Sequence, residues 1–319
     1  MFVSVVTNAL RMNLDISLIE SFCNQELAIE STWGMAQLHN FFAEMAMIEK
    51  GVPYSELGIK ERRESSNPAI LTPRMQSGSE QNQIAYGIAS HVSFKNVLAS
   101  ETAPGSIALL NLKGVIRSES MLSTRGIDSF LTDLHFVYTN PNIKGVIVNV
   151  LSGGGESAAS FKLRNAIKEK NKPVIALVDF AASGAYLAIT GADEILGSSN
   201  ASQFGSIGAY LSLNLKELKA YAEEYVHIYA DQSGDKNAPL RQAALGDFTG
   251  IKTMVNRIAT DFRNAVLEDR TLKGQETVIE KTLSGGLFNA VEAKRRGLSD
   301  MTGNLNTAVR RVNYYADRL

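Results

Sequence analysis

Three short apolar runs, spaced between stretches of helical periodicity, limit this chain more than any other feature. Residues from Ser106 to Ile116, from Lys144 to Leu151 (Lys-Gly-Val-Ile-Val-Asn-Val-Leu) and from Pro173 to Val178 have the length of strands and are too apolar to face water. Between them, Ile127 to Tyr138 and Glu156 to Lys170 repeat apolar residues at three- and four-residue steps. Buried strands joined through helices require a mostly parallel sheet covered by helices, with right-handed crossovers. In such sheets reactive groups gather at the carboxyl ends of the strands. Beyond, the pattern predicts short strands and turns over Ile195 to Leu211, a helix over Leu215 to Tyr225 and a strand over Val226 to Tyr229. Helices are expected over Phe248 to Asp269, Ala290 to Arg296 and Leu305 to Asp317.

The chain ahead of this region reads differently. From Asp15 to Glu49, Leu18, Phe22, Leu27, Ile29, Trp33, Leu38, Phe41, Phe42 and Met45 recur at helical spacing, which predicts one or two amphipathic helices in an N-terminal segment, 1–50. Pro53, Pro68, Pro73, several Ser and Gly residues and the run Lys60-Glu61-Arg62-Arg63-Glu64 come next, as expected of a partly flexible connector over 51–103. The alternating strands and helices then make one domain over 104–319.

Charge and cysteine content narrow the partners. With 32 Lys and Arg against 33 Asp and Glu, the formal net charge is −1, which argues against a nucleic-acid surface or a polybasic membrane patch. Cys23 is the only cysteine, so neither an intrachain disulfide nor a cysteine-based zinc site is possible. The first residues lack the features of a secretory signal, and no run approaches 18 apolar residues. A cytoplasmic protein without a membrane anchor is expected.

The third apolar run leads into Asp179-Phe180-Ala181-Ala182-Ser183-Gly184-Ala185-Tyr186, which places Ser183 at a strand-to-helix corner. A serine there either caps the helix or presents its hydroxyl beside backbone N–H groups that have no helical partner. A reactive serine needs a base and an oxyanion site. His39, His91, His135 and His227 all fall outside glycine-marked loops and read as surface or packing residues. Lysine is the alternative base, and Lys236 in Ser233-Gly234-Asp235-Lys236-Asn237 is the candidate, against its reading as a solvated loop lysine. The loop Ser152-Gly153-Gly154-Gly155 lacks the Gly-Lys-Ser/Thr ending of a phosphate loop, and Glu156 would repel phosphate. A backbone without Cβ atoms suits an oxyanion site better.

In order, four segments resemble the motifs of the signal peptide peptidase A family of serine peptidases, which share the fold of the Clp protease and the crotonases. Asn149 to Gly155 is similar to a strand followed by Ser-Pro-Gly-Gly, with Gly153 in place of the proline. Ala182-Ser183-Gly184-Ala185-Tyr186-Leu187-Ala188 is similar to the nucleophile motif, and Phe204-Gly205-Ser206-Ile207-Gly208 to a Thr-Gly-Ser-Ile-Gly element. Leu283-Ser284-Gly285-Gly286-Leu287-Phe288, continuing to Ala293 and Gly297-Leu298-Ser299-Asp300, is similar to a C-terminal block. The resemblance covers roughly Ser106 to Asp300 and implies repeated β-β-α or βαβ units. It implies Ser183 as nucleophile and Lys236 as general base, although the lysine loop is one residue shorter than the family's. Gly155 and Gly184 would supply the oxyanion hole, Gly154 the close turn, and Ser206 a hydroxyl that orients the lysine. Neither cofactor nor metal is implied. The separate N-terminal segment is similar in layout to the bacteriophage branch that acts in capsid maturation, which implies scaffold or capsid proteins as substrates and a homo-oligomer. A soluble signal-peptide-degrading peptidase, a crotonase-like acyl-CoA enzyme and an inactive shell-associated relative are the alternatives.

Overall fold

The computed structural model describes residues 27–29, 67–75, 84–91, 94, 101–120 and 125–319. Two compact units divide the chain: Met1–Leu27 with Ala209–Asp261, and Ala28–Gly208 with Phe262–Leu319. The boundary therefore cuts through the region 104–319 that the sequence suggests is one domain.

The second unit is built on a nine-stranded sheet. Its strands are β2 (Ala69–Met75), β3 (Ile84–His91), β4 (Ser106–Lys113), β5 (Ile143–Ser152), β7 (Val174–Ala182), β8 (Glu194–Gly197), β9 (Gln203–Gly205), β10 (Leu287–Asn289) and β11 (Met301–Thr302). Along the main path the order is β10, β9, β7, β5, β4, β2, β3, with β8 beside β7 and β11 beside β8. The centre is parallel, from β4 through β5 to β7, β8 and β9. Antiparallel pairs β2 with β3, β2 with β4, and β9 with β10 extend it. The expected mixed α/β architecture with a mostly parallel sheet is present.

Strand alternation splits the core into two layers. On one face Ala108, Leu110, Val146, Val148, Val150, Val174, Ala176 and Val178 pack with Phe130 and Leu134 of helix α1 (Ile127–Thr139) and Leu163 and Ile167 of α2 (Ser157–Lys168). The same layer takes in α3 (Gly184–Ile189), which is buried along its whole length. On the other face, Ile107, Leu109, Ile147, Ile175 and Leu177 meet Ala308, Val309 and Val312 of the C-terminal helix Leu305–Ala316. Burial on both sides is why the central strands read as apolar runs rather than as alternating ones.

Two expectations about the N-terminal third change. Residues 69–75 and 84–91, expected in the connector, are strands of the sheet. Their Leu71, Ile88 and Ile84 supply the strand propensity that the prolines and charged run around them obscure. Within the expected N-terminal helices, Leu27–Ile29 forms strand β1, paired in a separate two-stranded sheet with β6 (Gly154–Glu156). The rest of those helices lies outside the described residues.

In the first unit, the described residues form α4 (Leu215–Glu224), a 3-10 turn at Asp231–Ser233, α5 (Ala238–Ala244) and the start of α6 (Thr249–Asp269), which runs on into the second unit. The strand expected over Val226 to Tyr229 is absent: the segment has no regular structure, and Val226 and Ile228 are 90% and 94% exposed. Alternating apolar residues favour a strand only where another strand pairs with them.

Candidate active site

Strands β5 and β7 are parallel neighbours, and Ser152 at the end of one pairs with Ala181 near the end of the other. The glycine loop and the serine corner therefore leave the same edge of the sheet side by side, and β6 packs against α3. Just before the corner the register slips: Val150 pairs with Val178 but Leu151 with Phe180, so Asp179 is an extra residue in β7. On the other side of β7 the partner changes at the same point, from β8 opposite Val178 to β9 opposite Phe180. Such bulges bend a strand end and re-aim the residues beyond it. Asp179 accepts a hydrogen bond from the Ser198 hydroxyl, and the Ser198 N–H donates to Val178 O at 2.8 Å. The bulge was not legible in the sequence, because Asp179 alone carries no signal that distinguishes it from an ordinary strand-end residue.

Ser183 comes next at φ 52° and ψ −126°, a left-handed conformation that costs a non-glycine residue about 1–3 kcal/mol. Its N–H donates to Gly205 O at 2.8 Å, and its carbonyl accepts from Leu187 N–H at 3.1 Å. It occupies the N-cap position, yet its side chain makes no capping hydrogen bond, and it is 3% exposed. The simple capping role thus does not account for the serine. Below it, α3 is fixed by Tyr186, fully buried, whose O–H donates to Leu298 O at 2.9 Å. Burial pushes the Tyr186 phenol well above its ordinary range, so it remains a donor.

The four sequence segments meet through backbone bonds. Ser183 is tied to Gly205, and Ser206, itself at φ 51°, donates its N–H to Gly286 O at 2.8 Å. Gly205 is at φ 119°, and a Cβ there would overlap Gly286 O, so this junction requires glycine. The Leu298 to Asp300 block is tied nearer the amino ends of the parallel strands, where Ile195 pairs with Ala176. Asp300 accepts from Ile195 N–H at 2.8 Å and pairs with Arg270 at 2.7 Å.

Opposite the corner, residues 114–118 run along the glycine loop as a strap. Ile116 bridges Gly155 in parallel, with Ile116 N–H donating to Gly154 O at 2.9 Å and Glu156 N–H to Ile116 O at 2.8 Å. A Cβ on Gly155 would collide with the Ile116 backbone, which explains why the loop has glycine at that position.

The second unit thus brings Ser183, Gly184, Gly154, Gly155 and Ser206 to one edge. Lys236 belongs to the first unit. It is exposed, with its N–H donating to Ser233 O at 3.0 Å, and precedes Asn237 at φ 57°. Among the described residues, Ser183, Ser206 and Asn237 are the non-glycine residues with positive φ, and each lies in a segment that the sequence marked for chemistry. His135 and His227 are exposed, His91 lies in β3, and His39 falls outside the described residues. No group of three or more metal-ligating side chains occurs among the described residues, and no helix among them is long and apolar enough to cross a membrane.

The sequence is similar to those of proteins named as proteases. A Methanocaldococcus jannaschii protein whose name proposes a protease is 32% identical over 181 residues, 55% of this chain and 57% of its own length. Protease 4 of Haemophilus influenzae is 27% identical over 221 residues, covering 66% of this chain and 34% of that protein. The chloroplastic serine protease SPPA of Arabidopsis thaliana is 27% identical over 217 residues, 64% of this chain and 31% of its own. This chain therefore spans little more than half of the first relative and about a third of the other two. Among solved structures, a ClpP1 variant of Listeria monocytogenes aligns at a TM-score of 0.40 and 13% identity, covering 63% of this chain and 94% of that one. An enoyl-CoA hydratase of Shewanella pealeana aligns at 0.39 and 13%, covering 67% and 72%. The strand from which Ser183 emerges, the Gly205-Ser206 junction and the C-terminal block all lie inside residues 166–317, which match the model of Peptidase family S49.

Proposed function

We propose that this chain is a serine endopeptidase in which Ser183 attacks the scissile carbonyl and Lys236 takes its proton. The observation that carries the reading is the strained, bonded corner at Ser183, set beside a glycine loop whose shape a strap enforces. Its left-handed backbone is maintained by the Gly205 bond and turns the residue away from the capping geometry that an ordinary N-cap serine adopts. Local strain of this kind is concentrated at functional sites.

The chemistry runs in two balanced stages. Ser183 Oγ bonds to the carbonyl carbon as its proton passes to the Lys236 amine, and the oxyanion is received by the N–H groups of Gly155 and Gly184. Gly184 is the first residue of α3, so its N–H has no partner within the helix. Collapse breaks the C–N bond, the lysine returns its proton to the leaving amine, and an acyl-Ser183 remains. Water, deprotonated by the same amine, then releases the acyl group and restores the serine. Ser206 would orient the lysine. The family match favours this hydrolysis over acyl-CoA chemistry.

The finer reading makes scaffold or capsid proteins of an assembling phage head the substrates, with the enzyme a homo-oligomer; it is supported by the layout of the chain alone. Incubating the purified protein with a scaffold protein, beside Ser183→Ala, and identifying the products by mass tests it. Cleavage by the wild type alone is expected. An intact scaffold, with another protein substrate cleaved, would remove the phage assignment and leave the peptidase.

A further inference from the structure

The glycine loop has no side chains of its own to set its direction, and glycine backbones have access to many. An oxyanion donor has to be aimed before the reaction begins. What aims this one is visible in its neighbours. Ser152, immediately before the triplet, is completely buried. Its hydroxyl donates to Gly114 O at 2.6 Å and accepts from Gly154 N–H at 3.1 Å. One oxygen therefore joins the strap to the middle of the loop. Beyond the triplet, the Glu156 carboxylate accepts from the Ser118 N–H at 2.8 Å and from the Ser118 hydroxyl at 2.9 Å. Gly114 N–H donates to Leu151 O at 3.2 Å, so the strap is joined to the chain on both sides of the glycines.

We propose that Ser152 is a positioning residue for the oxyanion site, acting through Gly154 to direct the Gly155 N–H, with the Glu156–Ser118 latch securing the far end. This rests on the reading of Ser183 as nucleophile and Gly155 as an oxyanion donor. Ser152 does not touch the reacting atoms. Removing its hydroxyl leaves Gly154 N–H and Gly114 O without that partner and loosens the loop at its middle, while the Ile116 bonds and the sheet beneath it stay intact. The effect is expected in the rate of the covalent step and not in reversible binding, because only the transition state places charge on the donors.

Labelling of Ser183 by a fluorophosphonate probe, which passes through the same oxyanion site, separates the two. Ser152→Ala is compared with Ser106→Ala. Ser106 is also fully buried and gives its hydroxyl to a carbonyl, Ala103 O at 2.6 Å, but at the opposite end of β4. Melting temperatures should fall alike in the two variants. For Ser152→Ala the maximal labelling rate should fall about tenfold or more with the half-saturating probe concentration unchanged. Amide exchange at Gly154 and Gly155 should quicken, whereas Ser106→Ala labels as the wild type does. A Ser152→Ala protein that labels at the wild-type rate, or slows no more than Ser106→Ala, overturns the positioning role alone. A wild-type protein that takes no label at Ser183 overturns the nucleophile reading and this inference with it.

Discussion

The serine corner and the lysine loop look alike in outline and differ in what supports them. Both place a non-glycine residue at positive φ, Ser183 at 52° and Asn237 at 57°, and both lead into a short helix. At the serine, the backbone is bonded to Gly205 of a neighbouring strand as well as to Leu187 of its own helix, and that helix is anchored to the distant Leu298. At the lysine, the bonds join near neighbours: Lys236 N–H to Ser233 O, and the Arg241 guanidinium to Gly234 O while it lies 4.4 Å over the Tyr229 ring. A corner that a sheet over-determines can hold strain, whereas a loop supported by residues within a few positions of itself can adjust.

The strongest way to break this contrast is at the serine itself. Ser183→Ala should lower peptide hydrolysis by at least about 10⁴-fold with the melting temperature nearly unchanged. Lys236→Ala should cost about 10²- to 10⁴-fold in kcat, the range of a lost general base, and a fully active variant would remove the lysine from the mechanism. Gly155→Ala pushes a methyl group into the Ile116 backbone and should cost about 10²-fold in kcat by moving the oxyanion donor. A wild-type rate there would mean that the strap does not shape the loop.

Smaller effects sharpen the same comparison. Behind the serine, Thr190 at the end of α3 donates to Asp269 at 2.6 Å, and buried Arg164 pairs with the same carboxylate at 2.5 Å. Burial pushes the Asp269 carboxyl up, but the bonds from Arg164, Thr190 and Lys168 outweigh it and hold it below the ordinary carboxylate value. A carboxyl depressed in the folded state stabilises above its unfolded pKa, and that contribution is lost as pH falls through the folded one. Asp269→Asn should therefore cost about 3 kcal/mol at neutral pH by denaturant unfolding, with the gap to wild type closing below about pH 4. A gap that persists at pH 2 would show that packing and not charge is lost. At the lysine, Arg241→Ala should lower kcat only about two- to threefold and stability by about 1 kcal/mol, the order expected of a half-buried cation–π contact. A large loss there would make the lysine loop as rigid as the serine corner.

The parallel core and the serine corner were legible because buried strands leave continuous apolar runs and because glycine marks close backbone approaches. Ile127–Thr139, Ile143–Ser152 and Ala290–Arg296 fall where periodicity places them, and Asn289 caps the last by accepting from Glu292 N–H. Other features were hidden for physical reasons. Residues 69–75 contain Pro73 and lie beside a charged run, so their strand is visible only through its partners. Val226 to Ile228 has the alternation of a strand without a neighbour to pair with in the described chain. The Asp179 bulge and the Ser152 link depend on register between distant strands, which no local pattern encodes.

The central claim is that Ser183 is a nucleophile held ready by the sheet, and covalent labelling tests it most directly. The purified chain is treated with a fluorophosphonate probe and its peptides are mapped by mass. The account predicts a single adduct on Ser183, absent from Ser183→Ala and formed more slowly in Gly155→Ala. An unlabelled Ser183, or an adduct on another residue that persists in Ser183→Ala, would contradict it.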